Sequence, residues 1–226
     1  PPPFFFFKKT RAYEIASCLV GSGDVYKRQV GGITLHDVIN NRFAKKAVEK
    51  GADGLIAVAA GAGGHAGRLS PFPLISEIRN WFDGPLALSG AIASGDAILA
   101  AEAMGADFGY IGSAFIATHE ARADDRYKQM IVDSAADDII YSSLFTGVHG
   151  NYLAPSVKAA GMDPNNLPEG DISTMDFDNW DKKPKAWKEI WGCGQGIGAV
   201  KSVLSVDDLV SRLQAEYLKA KLRISG

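Results

Sequence analysis

PLALSGAIASGDAILAAEAMGADFGYIGS, residues 85–113, is the stretch on which the fold turns. Its apolar start at 85–89 predicts a buried strand. The alanine-rich run 95–104 predicts a helix, closed by Gly105. Residues 108–111 (FGYI) predict the next strand. Strand, helix of about ten residues, strand is the spacing of parallel pairing, because a hairpin turn cannot bring parallel strands together. Each strand runs into small residues: Ser89-Gly90-Ala91-Ile92-Ala93-Ser94-Gly95 after the first, and Tyr110-Ile111-Gly112-Ser113 at the second. Backbone N–H groups at such turns bind phosphate. Each loop alone is equally well a short strand-to-helix connection; two in succession form a moderately specific pair.

The same alternation extends upstream. Residues 33–38 (ITLHDV) predict a strand, and 41–50 a helix with Phe43, Ala44, Ala47 and Val48 on one face, ended by Gly51. Residues 53–60 (DGLIAVAA) read as a strand buried on both faces, and 71–82 as a helix with a stripe of Leu74, Ile75, Ile78, Trp81 and Phe82. Four such units suit a (β/α)₈ barrel or an open doubly wound sheet. Small-residue turns after two successive strands favour the barrel, where phosphate often sits in the loops after strands 7 and 8. On that count 33–38 is strand 5 and strands 1 to 4 are missing, so the chain is expected to hold about four βα units, the C-terminal half of a barrel (30–136).

Between the second strand and its helix lies Gly61-Ala62-Gly63-Gly64-His65-Ala66-Gly67. Glycines let a backbone approach a flat ligand closely. His65 is the one titratable side chain in this loop, placed at the C-terminal mouth where catalytic groups of barrels gather. A tight turn with an exposed histidine is the plain alternative. Gly192-Cys193-Gly194-Gln195-Gly196-Ile197-Gly198 lacks the preceding strand and acidic partner of a dinucleotide fingerprint, and is expected to be a lid or a wall of the site. His36, His119 and His149, and Trp180, Trp187 and Trp191, are assigned structural roles.

The tail, 137–226, is expected to form an irregular, mainly helical cap. Within it 205–222 predicts an amphipathic helix with a Ser205/Asp208 capping box and a stripe of Leu209, Val210, Leu213, Tyr217 and Leu218. At the other end, 1–29 shows neither helical nor strand periodicity. Its last six residues, DVYKRQ, are what GAT GTG TAT AAG AGA CAG encodes, a string resembling a transposon end used in sequencing libraries, and 11–15 likewise looks like translated adapter. We set this segment apart from the fold.

Charge and composition limit the partners. A net charge of −2 gives no attraction to nucleic acid or to an anionic membrane. No apolar run approaches the roughly 20 residues that span a bilayer. Two cysteines, without a Cys/His cluster, give no reason to expect a metal site or a disulfide framework, and fit a reducing cytoplasm.

GLIAVAAGAGGHAGRLSPFPLISEIR, then GPLALSGAIASGDAILAAEAMGADFGYIGSAFIAT, then GQGIG resemble the nitronate monooxygenase family, over essentially all of the chain from Ile33. GGHAG followed by the two small-residue loops is specific for the wider FMN-barrel superfamily. The resemblance implies an FMN-binding TIM barrel that acts on a nitronate or nitroalkane with O₂, giving a carbonyl compound and nitrite. By position it makes His65 catalytic, lays Gly63 and Gly64 against the flavin, and assigns the FMN phosphate and ribityl chain to Ser89, Gly90, Ala91, Gly95, Tyr110, Ile111, Gly112 and Ser113. Many relatives have a second glycine at the position of Ala91, and a polar side chain at that of Val58. Flavin-type enoyl-acyl-carrier-protein reductases and NADH:quinone reductases share the skeleton, so a flavin-dependent NADH oxidoreductase is the alternative activity. A flavin-free phosphate-binding barrel and an inactive fragment are the others.

Overall fold

A computed structural model describes residues 32–170 and 189–225. The segment 1–29, Trp180 and Trp187 lie outside them. Strands β1 (Leu35–Val38), β2 (Gly54–Val58), β4 (Leu86–Ser89) and β5 (Phe108–Tyr110) form a parallel sheet in the order β1-β2-β4-β5. Helices α1 (Asn41–Glu49), α2 (Pro71–Arg79) and α3 (Gly95–Ala103) connect them. The architecture is α/β, a section of a (β/α)₈-type barrel.

The register decides which side chains reach the site. Val38, Ala57 and Leu88 lie in one row across the sheet and are buried. The rows that alternate with it carry Asp37 beside Ile56, and Val58 beside Ser89 and Tyr110, and these five line a cleft at the strands' C-terminal ends.

Specific contacts place the helices. The Asn40 side chain accepts from the Phe43 amide at 2.9 Å and starts α1. Ala44 and Ala47 of this helix are buried, but Phe43 lies at the edge of the stripe, 40% exposed, under the Arg42 guanidinium. In α2, Leu74, Ile75 and Ile78 are fully buried. The helix ends at Arg79, and a hydrogen-bonded turn carries the chain on to Trp81 and Phe82. The Arg79 guanidinium donates to the carbonyls of Phe82, Gly84 and Gly105 and to Asp107 at 2.6 Å. Asp107 also accepts from the Leu86 amide, so this cluster ties α2 to the N-terminal ends of β4 and β5.

The tail is mainly helical, but it holds more than the helices expected of it. It also supplies β6 (Ile139–Ser142) and β7 (Gly150–Leu153), which form an antiparallel sheet with β3 (Gly64–His65) in the order β3-β7-β6. Short strands that pair across some eighty residues leave no local period to detect. Helices α4 (Ser113–Ile116), α5 (Asp125–Asp133), α6 (Ala154–Ala159) and α7 (Val206–Ser225), with 3₁₀ turns at Ala136–Asp138 and Gln195–Ala199, complete the described chain. In α7 the Ser205 hydroxyl accepts from the Asp208 amide, and Leu209 and Leu213 are buried as expected. Leu218 is not part of the stripe: it is 52% exposed and Ala220 is buried in its stead.

Candidate active site

The cleft measures about 480 Å³. It is lined by the loop from Ala62 to His65, by residues 89–93, by Tyr110, Gly112 and Ser113, and by Gly192, Gly194 and Gly196. The fold thus brings together nine of the residues singled out in the sequence: Gly63, Gly64, His65, Ser89, Gly90, Ala91, Tyr110, Gly112 and Ser113. Ile111 is not among the lining residues; it packs partly buried against the core.

Gly95 is placed elsewhere too. Its amide donates to Glu216 Oε2 of α7 at 2.9 Å, and Ser94 caps α3 through the Ala97 amide. The start of α3 therefore carries its own carboxylate. A Cβ at Gly95 would lie 2.1 Å from the Tyr217 nitrogen, so this glycine serves the close packing of α7 and not the cleft.

The three loops that wall the cleft interlock through glycines. The Gly61 carbonyl accepts from the amides of Ala91 and Gln195, at 3.3 and 2.9 Å. A Cβ at Gly63 would fall 2.8 Å from the Gly194 nitrogen, and one at Gly196 would fall 2.4 Å from the Ala91 oxygen. Ser113 Oγ accepts from the Gly194 amide at 2.9 Å. The segment 192–198 is accordingly a wall of the cleft, and Cys193 within it is buried, its thiol pushed up to about 11 by that burial. Tyr127 stacks on Trp191 and donates to the Gly192 carbonyl, which holds the wall in place.

His65 is half-buried at the cleft edge, and its Nε2 lies 2.8 Å from Thr146 Oγ1. Burial lowers its pKa below the ordinary 6.5. Asn151, 2% exposed, donates to the Ala62 carbonyl at 2.7 Å and, with the pairing of Gly64 to Asn151, fixes the glycine loop. Asp37, Ile56 and Tyr127 also line the cleft, though the sequence reading did not select them. Asp37 had a signal: it is the one carboxylate in β1, between His36 and the buried Val38. Tyr110 faces it, and burial, with the Asp37 charge, raises the phenol's pKa. Among the remaining histidines, His149 stacks on Tyr141 and accepts from Arg68.

The profile of the nitronate monooxygenase family matches residues 24–216, which spans every element above up to the last part of α7. The chain belongs to the nitronate monooxygenase family. It is 27% identical over 204 residues to the nitronate monooxygenase of Paraburkholderia phytofirmans, covering 84% of this chain and 56% of that protein. It thus spans about half the length of the curated relatives it matches. Among solved structures, a nitroalkane oxidase from Streptomyces ansochromogenes superposes with a TM-score of 0.72 at 26% identity, over 89% of this chain and 62% of that one. FabK from Thermotoga maritima superposes with a TM-score of 0.71 over 89% of this chain and 66% of its own, and at 21% identity that likeness concerns the fold alone. Nitronate monooxygenases are flavin-dependent oxidoreductases, so membership implies an enzyme and a flavin. Among the described residues no helix is long and apolar enough to cross a membrane, and no three or more His, Cys, Asp or Glu gather as a metal group.

Proposed function

We propose that this chain carries the FMN site and catalytic histidine of an enzyme that oxidises alkyl nitronates with O₂ to a carbonyl compound and nitrite. The observation that carries the proposal is the convergence of His65, the glycine loop and both small-residue loops on one cleft. The cleft fits the cofactor in size, since sites for ligands of this class measure roughly 300–1,000 Å³. It also fits in chemistry. Gly112 and Ser113 open α4, where helix amides have no intrahelical acceptor, and nothing stands within 4 Å of a Cβ built on Gly112. We assign the phosphate to these two residues and to the turn at Ser89, Gly90 and Ala91. The Glu216 carboxylate at Gly95 argues for a phosphate on this side and not at the start of α3. Gly63 and Gly64 leave the floor beside His65 flat enough for a ring system.

When bound, FMN supplies the electron transfer between nitronate and O₂. The protein orients the substrate and handles its proton. A neutral nitroalkane must lose its α-proton, and an imidazole whose pKa is held low by burial is neutral and ready to take it at pH 7. That state favours His65 as a base over His65 as a cationic anchor. Val58, at the end of β2 on the cleft, leaves this wall apolar. The two cysteines, of which Cys193 is free and buried, are compatible with a cytoplasmic enzyme.

The test is His65→Asn in the FMN-loaded protein. Flavin content is expected to hold, while turnover of neutral nitroalkanes falls by roughly 10²–10⁴, the usual worth of general-base catalysis. Preformed nitronate, which needs no deprotonation, is expected to lose much less. Wild-type turnover of both forms would remove His65 from the chemistry.

A further inference from the structure

The Thr146 hydroxyl lies in the turn between β6 and β7, 81 residues along the chain from His65. Its Oγ1 is 2.8 Å from His65 Nε2 and donates to the Val148 carbonyl at 2.9 Å. The Val148 amide points back at the same oxygen, at 3.4 Å. A hydroxyl has a single hydrogen. Once that hydrogen is directed to Val148, Oγ1 faces the imidazole as an acceptor, and Nε2 must be the protonated nitrogen. The pairing of Gly64–His65 with Gly150–Asn151 holds the ring and the turn in one sheet, so the contact is set by backbone hydrogen bonds on both sides.

We propose that Thr146 is a positioning residue that fixes His65 as the Nε2–H tautomer, so that Nδ1 is the nitrogen that takes the substrate proton. The inference rests on His65 acting as the base. The α-proton of a neutral nitroalkane moves to Nδ1, the electron pair stays on the substrate as the nitronate, and the imidazolium keeps its Nε2–H bond to Thr146. A bond from a charged donor is stronger than one from a neutral donor, so Thr146 favours the protonated product of that step. The neighbouring titratable groups are Tyr152, whose phenol faces Thr146 from β7 and is kept protonated by burial, and the Arg68–His149–Tyr141 stack on the flanking residues of the same small sheet. Tyr152 has no titration near neutral pH, and His149, held by Arg68 and Tyr141, is not among the residues that line the cleft, so the acid limb of the rate is assigned to His65.

Two measurements test this. In the unsubstituted chain, ¹⁵N chemical shifts of His65 above its pKa are expected to show a protonated Nε2 and a pyridine-like Nδ1; the reverse assignment overturns the proposal. In the FMN-loaded protein, Thr146→Val is expected to lower kcat for a neutral nitroalkane about tenfold, a fraction of the roughly 10²–10⁴ supplied by a general base. It is also expected to move the acid limb of the pH profile to lower pH, because the imidazolium loses its acceptor, with KM and flavin content little changed. Thr146→Ser, which keeps the hydroxyl, is expected to restore both rate and limb. An unmoved limb with wild-type rate in Thr146→Val, or a Ser variant as impaired as Val, overturns the role of the hydroxyl. Failure of the catalytic reading is separate and is seen in His65→Asn, which would then turn over neutral nitroalkane normally.

Discussion

Ala91 has a φ of 56°, the left-handed region, and it is the one non-glycine residue there among the described residues. The conformation costs an L-residue roughly 1–2 kcal/mol. It is held because Gly61 accepts the Ala91 amide and Gly196 packs beneath the Ala91 carbonyl. Ala91→Gly is expected to relieve that strain, less the extra freedom the glycine has when unfolded, for a net gain of about 0.5 kcal/mol in denaturant unfolding. A loss of stability would mean that the Ala91 methyl packs usefully in the loop. His65 yields a second expectation at this scale. Activity on neutral nitroalkanes requires the unprotonated ring, so it is expected to rise with pH through a midpoint below 6.5. A midpoint above 6.5 would contradict the burial of the ring as its governing influence. His65 could be singled out in the sequence because every neighbour from Gly61 to Gly67 is glycine or alanine. Thr146 could not: its importance is a hydrogen bond across 81 positions, which leaves no trace in local spacing.

Among the elements, α7 is the fastening of two loops beside the cleft. Arg212 donates to the carbonyls of Ala93 and Ala199, at 3.0 Å each, and Glu216 takes the Gly95 amide. A methyl at Gly95 would meet backbone atoms of Leu213, Glu216 and Tyr217 within 2.1–2.6 Å, and backbone cannot step aside as a long side chain does. Gly95→Ala is therefore expected to cost about 3 kcal/mol, at the upper end of overpacking penalties, by thermal or denaturant unfolding. Were Gly95 instead a phosphate ligand, the substitution would leave stability alone and weaken flavin binding. The parallel strands and α1 to α3 were legible because their apolar periods are local. The Arg79 cluster was not, because it reaches carbonyls on two other segments, and neither was β6–β7, whose partner is a dipeptide in the glycine loop. The use of Gly95 escaped detection for a related reason: a glycine at a strand-to-helix turn signals close approach, but not whether a ligand or a helix approaches.

Across the whole molecule the two ends of the sheet have different tasks. The N-terminal ends of β4 and β5 are tied by Arg79 and Asp107, while the C-terminal ends open on the cleft. Arg79→Ala is expected to lower stability by about 2 kcal/mol through the carbonyls it leaves unpaired, without altering flavin affinity. At the other end Gly112 lines the cleft where the phosphate is proposed to sit. A Cβ added there meets no atom within 4 Å beyond its chain neighbours, so the alanine variant has room, and unfolding curves separate an effect on binding from one on the fold. The deciding measurement is an FMN titration of Gly112→Asp beside Gly112→Ala and the unsubstituted protein, with unfolding curves recorded on all three. Equal stability is expected, with flavin binding kept by the alanine variant and abolished by the aspartate, whose charge would face the phosphate. Stoichiometric FMN in Gly112→Asp would contradict the placement of the phosphate at Gly112 and Ser113.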